Sequence, residues 1–196
     1  PFAEAPVGER RFRLPVPKKP WRGVRSAKVS APYCLQMHTF FLDRIMGLED
    51  CLQLNVYTPK LPSKGQAHPK YPVIIFIHGG SYQFGGAIEH GPAYLLERNV
   101  VLVNINYRVG ILGYLSTGDK ASPGNLGMKD QALAIEWVHK NVENFGGDSG
   151  KVTLMGESAG ASSVHLHMLS HRETRNYIHR AISMSATAFN FWALQS

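Results

Sequence analysis

At 196 residues the chain is long enough for one ordinary domain with its own core, and its 44% hydrophobic content suits a globular protein. No run of eighteen apolar residues occurs, which excludes a membrane-spanning helix in this segment. The net charge of +7 raises nucleic acid as a partner, but nearly all of the excess sits in residues 1–28.

That stretch holds Arg10, Arg11, Arg13, Lys18, Lys19, Arg22, Arg25 and Lys28 against Glu4 and Glu9. It is rich in proline, has no helical period and precedes no nucleic-acid motif, so it reads as a solvated or salt-bridged loop. Nucleic acid is therefore not expected as a partner. The first thirty residues should run as extended loop over a surface. Beginning at Pro1 without a signal-like segment, the chain reads as a piece of something longer.

Cys34 and Cys51 are the only cysteines, and they flank a loop containing Leu35, Phe40, Phe41 and Ile45. Neither has a second Cys or His at ligand spacing, so a metal site is not expected. A disulfide is expected instead, and with it an oxidising, extracellular-facing compartment. Residues 51–58 alternate apolar and polar as a half-buried strand does. Residues 59–70 are a surface connection.

Four short apolar runs follow: 72–77, 99–105, 151–155 and 181–184. Each has the texture of a strand buried in a parallel sheet. A helical stretch is expected around 91–98. Between Gly127 and Phe145, apolar residues at 128, 132, 135, 138, 142 and 145 step by three and four, which predicts an amphipathic helix ended by Gly146-Gly147. Residues 159–169 are helix-compatible as well. Alternating strands and helices predict an α/β fold with a doubly wound, mostly parallel sheet.

Chemistry concentrates where these strands end. Gly156-Glu157-Ser158-Ala159-Gly160 is a G-x-S-x-G pattern lying between a buried strand and a helix. A turn that sharp leaves almost no room for side chains two residues either side of the serine, and it pushes the Ser158 hydroxyl out at the sheet's C-terminal edge. An acyl-transfer nucleophile also needs donors for the developing oxyanion. Ala159 N–H supplies one, and the His78-Gly79-Gly80-Ser81 loop after an earlier strand is placed to supply others. Either cluster alone reads as a tight turn; the two together point to an esterase.

Several segments resemble the type-B carboxylesterases and cholinesterases: residues 6–12, 48–55, 77–80, 106–110, 123–127, 145–148 and 156–160. They run from end to end of the chain in order. The resemblance implies an α/β-hydrolase fold, a partial domain over 1–196, and Ser158 as nucleophile. It implies Gly80, Ser81 and Ala159 as oxyanion donors, and Trp192 as a wall of the acyl pocket. It also supports the Cys34–Cys51 bridge and suggests that Arg11 and Glu49 form a buried structural ion pair. Ser81 stands where the family usually has a smaller residue, so its side chain should narrow the hole. The family's choline-stacking Trp is missing from the loop between the cysteines, which points away from choline esters.

In such folds the triad runs Ser, then Asp or Glu, then His, and the resemblance places both partners beyond Ser196. The extreme N-terminal strands would precede Pro1. No histidine here substitutes: His165 is seven residues along the same helix from Ser158, about 10 Å away. His167 and His171 lack a third zinc ligand, and no cofactor is implied. The isolated 196 residues should therefore show only the residual catalysis of a broken triad, about 10³–10⁴-fold over water. The resulting reading is a secreted serine esterase acting on small uncharged carboxylic esters. The alternatives are a non-catalytic cholinesterase-like adhesion protein and a slow-turnover scavenger of esters or organophosphates. No feature indicates an oligomeric state.

Overall fold

A computed structural model describes residues 1–38, 44–170 and 173–193; Phe40, Phe41 and His171 lie outside them. The two cysteines bond as expected, with Cα atoms 4.9 Å apart. Both are buried beside Phe2 and Leu52. A short antiparallel ribbon, β1 (Gln36–Met37) and β2 (Ile45–Met46), lies within the loop that this bridge closes. Gln36 holds the ribbon to the rest of the chain, donating to Gly85 O at 2.9 Å and accepting from Gly85 N–H at 2.8 Å. Replacing both cysteines by alanine is expected to cost about 3 kcal/mol, from the closure entropy of a loop this size. The urea midpoint of the full-length protein checks it.

The apolar runs form one five-stranded sheet: β3 (Leu54–Tyr57), β4 (Tyr71–Ile77), β5 (Val101–Ile105), β6 (Gly147–Glu157) and β7 (Arg180–Met184). Their spatial order is β3-β5-β4-β6-β7. Only the β3–β5 pair is antiparallel. All five residues of β5 are buried, as a continuous apolar run requires. Asn104 of β5 and Asn106 just beyond it reach sideways: Asn104 Nδ2 donates to Ala87 O at 3.2 Å, and Asn106 Oδ1 accepts from Ala87 N–H at 2.8 Å. They hold the 78–100 connection against the sheet.

Three helices complete the described chain: α1 (Gly110–Tyr114), α2 (Leu126–Asn141) and α3 (Ala159–Leu169). The expected helix through Phe145 is α2 followed by a 3-10 turn, Val142–Phe145, which Gly146 ends at φ 83°. Around 91–98 the expected helix is only a 3-10 turn, Leu95–Glu97, with no buried residue. Without an apolar face to pack, so short a segment has nothing to stabilise a longer helix.

The N-terminal stretch also departs from a simple surface loop. Phe2 and Ala3 enter the core, and Phe2 N–H donates to Leu52 O at 3.2 Å. Arg11 and Glu49 do pair, bidentately at 2.6 and 2.7 Å. The pair is not buried, however: the two side chains are 45% and 21% exposed. The buried pair is Arg108–Asp130, at 4% and 0% exposure. Asp130 accepts from Arg108 Nε, from its terminal nitrogen and from its backbone N–H, while Arg108 also donates to Arg13 O.

Candidate active site

The connection from β4 leads to β5 on one side of the sheet, and the connection from β6 leads to β7 on the other. Where two neighbouring parallel strands send their chains in opposite directions, a crevice opens at their C-terminal ends. In register, Ile77 of β4 lies opposite Gly156 of β6, so His78–Ser81 and Glu157–Ser158 leave the sheet side by side at that crevice.

Ser158 occupies a backbone conformation of φ 53°, ψ −120°, between β6 and the first residue of α3. A non-glycine residue there stores about 1–3 kcal/mol of strain and needs its surroundings to hold it. They do. Ser158 N–H donates to Met184 O of β7 at 2.8 Å, and Ser162 N–H returns to Ser158 O at 3.0 Å. A Cβ on Gly160 would stand 2.1 Å from Ile77 O, and one on Gly156 would stand 2.4 Å from Gly160 O. The elbow therefore closes only with both glycines.

The second loop meets the elbow directly. A Cβ on Gly79 would lie 3.1 Å from Ser158 Cβ and 2.6 Å from Glu157 Oε2. Beyond it, Ser81 and Tyr82 are consecutive non-glycine residues at φ 55° and 61°. The turn is closed by Gln83 N–H and Phe84 N–H donating to Gly80 O at 2.8 and 3.1 Å. Among the described residues, no acceptor takes the N–H groups of Gly80, Ser81 or Ala159. Ala159 opens an eleven-residue helix, whose free N–H groups and partial positive charge point at the same place.

His78 is part of the scaffold. It is buried, its ring stacks on Tyr107 at 4.3 Å, and its carbonyl accepts from the Tyr107 hydroxyl at 2.9 Å. Burial pushes its pKa down to about 4, so it stays neutral near pH 7. His165 accepts from Ala188 N–H at 3.2 Å, and His167 is buried against Gln131 Oε1 at 3.0 Å. No hydrogen bond among the described residues reaches Ser158 Oγ, and none of their acidic, His or Cys side chains gather into a metal cluster.

Trp192 comes to the same region, its ring 6.5 Å from that of Tyr82. Sequence reasoning missed Tyr82, Ser163 and Gln131, which form a polar group beneath the site. Tyr82 directly follows the Gly80-Ser81 turn, and that adjacency was the available signal.

The sequence profile described as "Carboxylesterase family" matches residues 1–196. Esterase FE4 of Myzus persicae is 49% identical over 194 residues, covering 98% of this chain and 34% of its own. Juvenile hormone esterase of Tribolium castaneum is 44% identical over 196 residues, covering 98% and 32%. The crystal structure of juvenile hormone esterase from Manduca sexta, with OTFP covalently attached, superposes with a TM-score of 0.87 at 37% identity, over 96% of this chain and 36% of that one. The chain thus spans about a third of the length of these relatives. Its mostly parallel sheet is that of an α/β-hydrolase, and the chain belongs to the carboxylesterase family.

Proposed function

We propose that this chain carries the nucleophile and the oxyanion hole of a serine esterase that hydrolyses small uncharged carboxylic esters. The observation behind this is the strained Ser158 elbow, set at the crevice between β4 and β6 beside three uncommitted N–H groups. Ser158 Oγ attacks the ester carbonyl carbon and gives its proton to a histidine base. The carbonyl oxygen becomes an oxyanion, which Gly80, Ser81 and Ala159 N–H groups stabilise by roughly 3–4 kcal/mol per positioned donor. The C–O bond then breaks, the alcohol leaves with the proton, and water repeats the sequence on the acyl-enzyme.

The histidine and its acid come from outside these 196 residues. Two observations support that: Ser158 Oγ has no partner among the described residues, and the matched relatives are about three times as long. Trp192, beside Tyr82, walls the acyl side. The buried disulfide favours secretion. The basic N-terminal stretch spends Arg11 and Lys18 on Glu49 and Glu4, in keeping with a solvated loop rather than a nucleic-acid surface.

A non-catalytic adhesion protein has no use for a strained, half-buried serine at a sheet-end crevice, so the intact elbow weighs against it. Fluorophosphonate labelling of the full-length protein decides between them: covalent labelling at Ser158 is expected. A well-folded protein that stays unlabelled would put the adhesion reading ahead. Steady-state turnover after labelling-competent folding supports the esterase, whereas a single burst without turnover supports the scavenger.

A further inference from the structure

Ser81 and Tyr82 both hold left-handed backbone without being glycine, so something other than backbone preference must keep this turn in place. Part of the hold is backbone: Gly110 N–H donates to Tyr82 O at 2.6 Å. The rest comes from the Tyr82 side chain. Its ring packs on Tyr114 at 5.0 Å, and its hydroxyl lies 3.4 Å from Ser163 Oγ.

Ser163 is buried on α3, one turn below Ala159. Its hydroxyl is 2.9 Å from Ala159 O and 3.2 Å from Gln131 Nε2. A serine hydroxyl has one proton, and the Ala159 carbonyl, which can only accept, takes it. The Gln131 amide and the Tyr82 phenol must then both donate to Ser163 Oγ. Gln131 Oε1 is left to accept from His167 Nε2 at 3.0 Å. Burial raises the Tyr82 pKa, so the phenol keeps the proton this arrangement needs.

From these contacts we infer that Ser163 and Tyr82 are positioning residues that tie the two halves of the oxyanion hole together. The Ser163 hydroxyl grips Ala159 through its carbonyl, and it grips the Gly80-Ser81 turn through the Tyr82 phenol. Donors from two separate loops are thereby held in one geometry, which is what stabilisation of a developing oxyanion requires. This rests on the esterase reading above.

The test uses the full-length enzyme with a p-nitrophenyl ester, in Tyr82→Phe, Ser163→Ala and the double variant. Either single change is expected to lower kcat about tenfold while KM stays within about twofold, because donors aimed at the transition state are misplaced and substrate binding is not. Affinity for a trifluoromethyl ketone, whose serine adduct carries the oxyanion, should fall by the same factor. The double variant should be no worse than the poorer single, since both changes break one link. Ser163→Thr, which keeps the hydroxyl, should restore kcat.

Unchanged kcat in both single variants of a protein that labels at Ser158 would overturn the tie and leave the esterase reading standing. Losses that multiply, or that track a fall in melting temperature, would overturn it too. A wild-type protein that is folded yet unlabelled would sink both readings at once.

Discussion

Replacing Ser158 by alanine is expected to lower ester hydrolysis by the full-length protein by about 10⁶-fold in kcat, with KM little changed. The substitution removes the proposed nucleophile and leaves the Gly80, Ser81 and Ala159 N–H groups where they are. A residual rate of about 10³–10⁴ over water should survive from those donors and from binding. Ser158→Gly separates chemistry from strain. It should be equally inactive, yet more stable than Ser158→Ala by about 1 kcal/mol, because glycine adopts φ 53° without penalty. Thermal melting of the two inactive variants reads that difference directly. Equal stabilities would mean that the elbow carries no strain, and that the glycines alone shape it.

Residues with a narrow range of physical explanations were the ones legible in the sequence. A glycine two residues before Ser158 and another two after, between an apolar run and a helix, have few uses besides an elbow; the structure places Gly160 against Ile77 O as that use demands. The parallel strands were legible because burial on both faces leaves an unbroken apolar run. Short elements were not. α1 spans five residues, too few for a 3.6-residue period to register, and the expected helix at 91–98 had helical composition without a face to bury.

Partnerships across the sequence were the least legible. Arg11 and Glu49 were paired by resemblance, yet their burial depends on how deeply the N-terminal loop sits, which no local pattern records. Ser163 carries no local signal beyond its place in the helix-compatible stretch 159–169. Its meaning lies in Tyr82, 81 positions earlier, and in Gln131 on a neighbouring helix. Such a network is written in three dimensions only.

Asp130→Asn is expected to destabilise the protein by about 3–5 kcal/mol, although Asp130 is remote from the chemistry in sequence and carries no motif. The change leaves the Arg108 guanidinium at 4% exposure with no anion beside it. Burial raises the pKa of the Asp130 carboxyl, and the Arg108 contacts pull it back. Desolvation and attraction thus oppose each other, and a buried pair of this kind adds little net stability while a broken one costs much. Its use is location. Arg108 lies three residues past the end of β5, Asp130 lies on α2, and the Arg108 contact to Arg13 O fixes the N-terminal loop at the same point. A double replacement, Arg108→Met with Asp130→Leu, should therefore lose less than Asp130→Asn alone. It should not be neutral, because Arg13 O and the Arg108 N–H each lose a partner, at about 1–3 kcal/mol apiece if they stay buried. Urea midpoints of the three proteins order them: wild type highest, the double variant between, Asp130→Asn lowest. A double variant less stable than the single would show that the pair attracts more strongly than its burial opposes, making it a net source of stability.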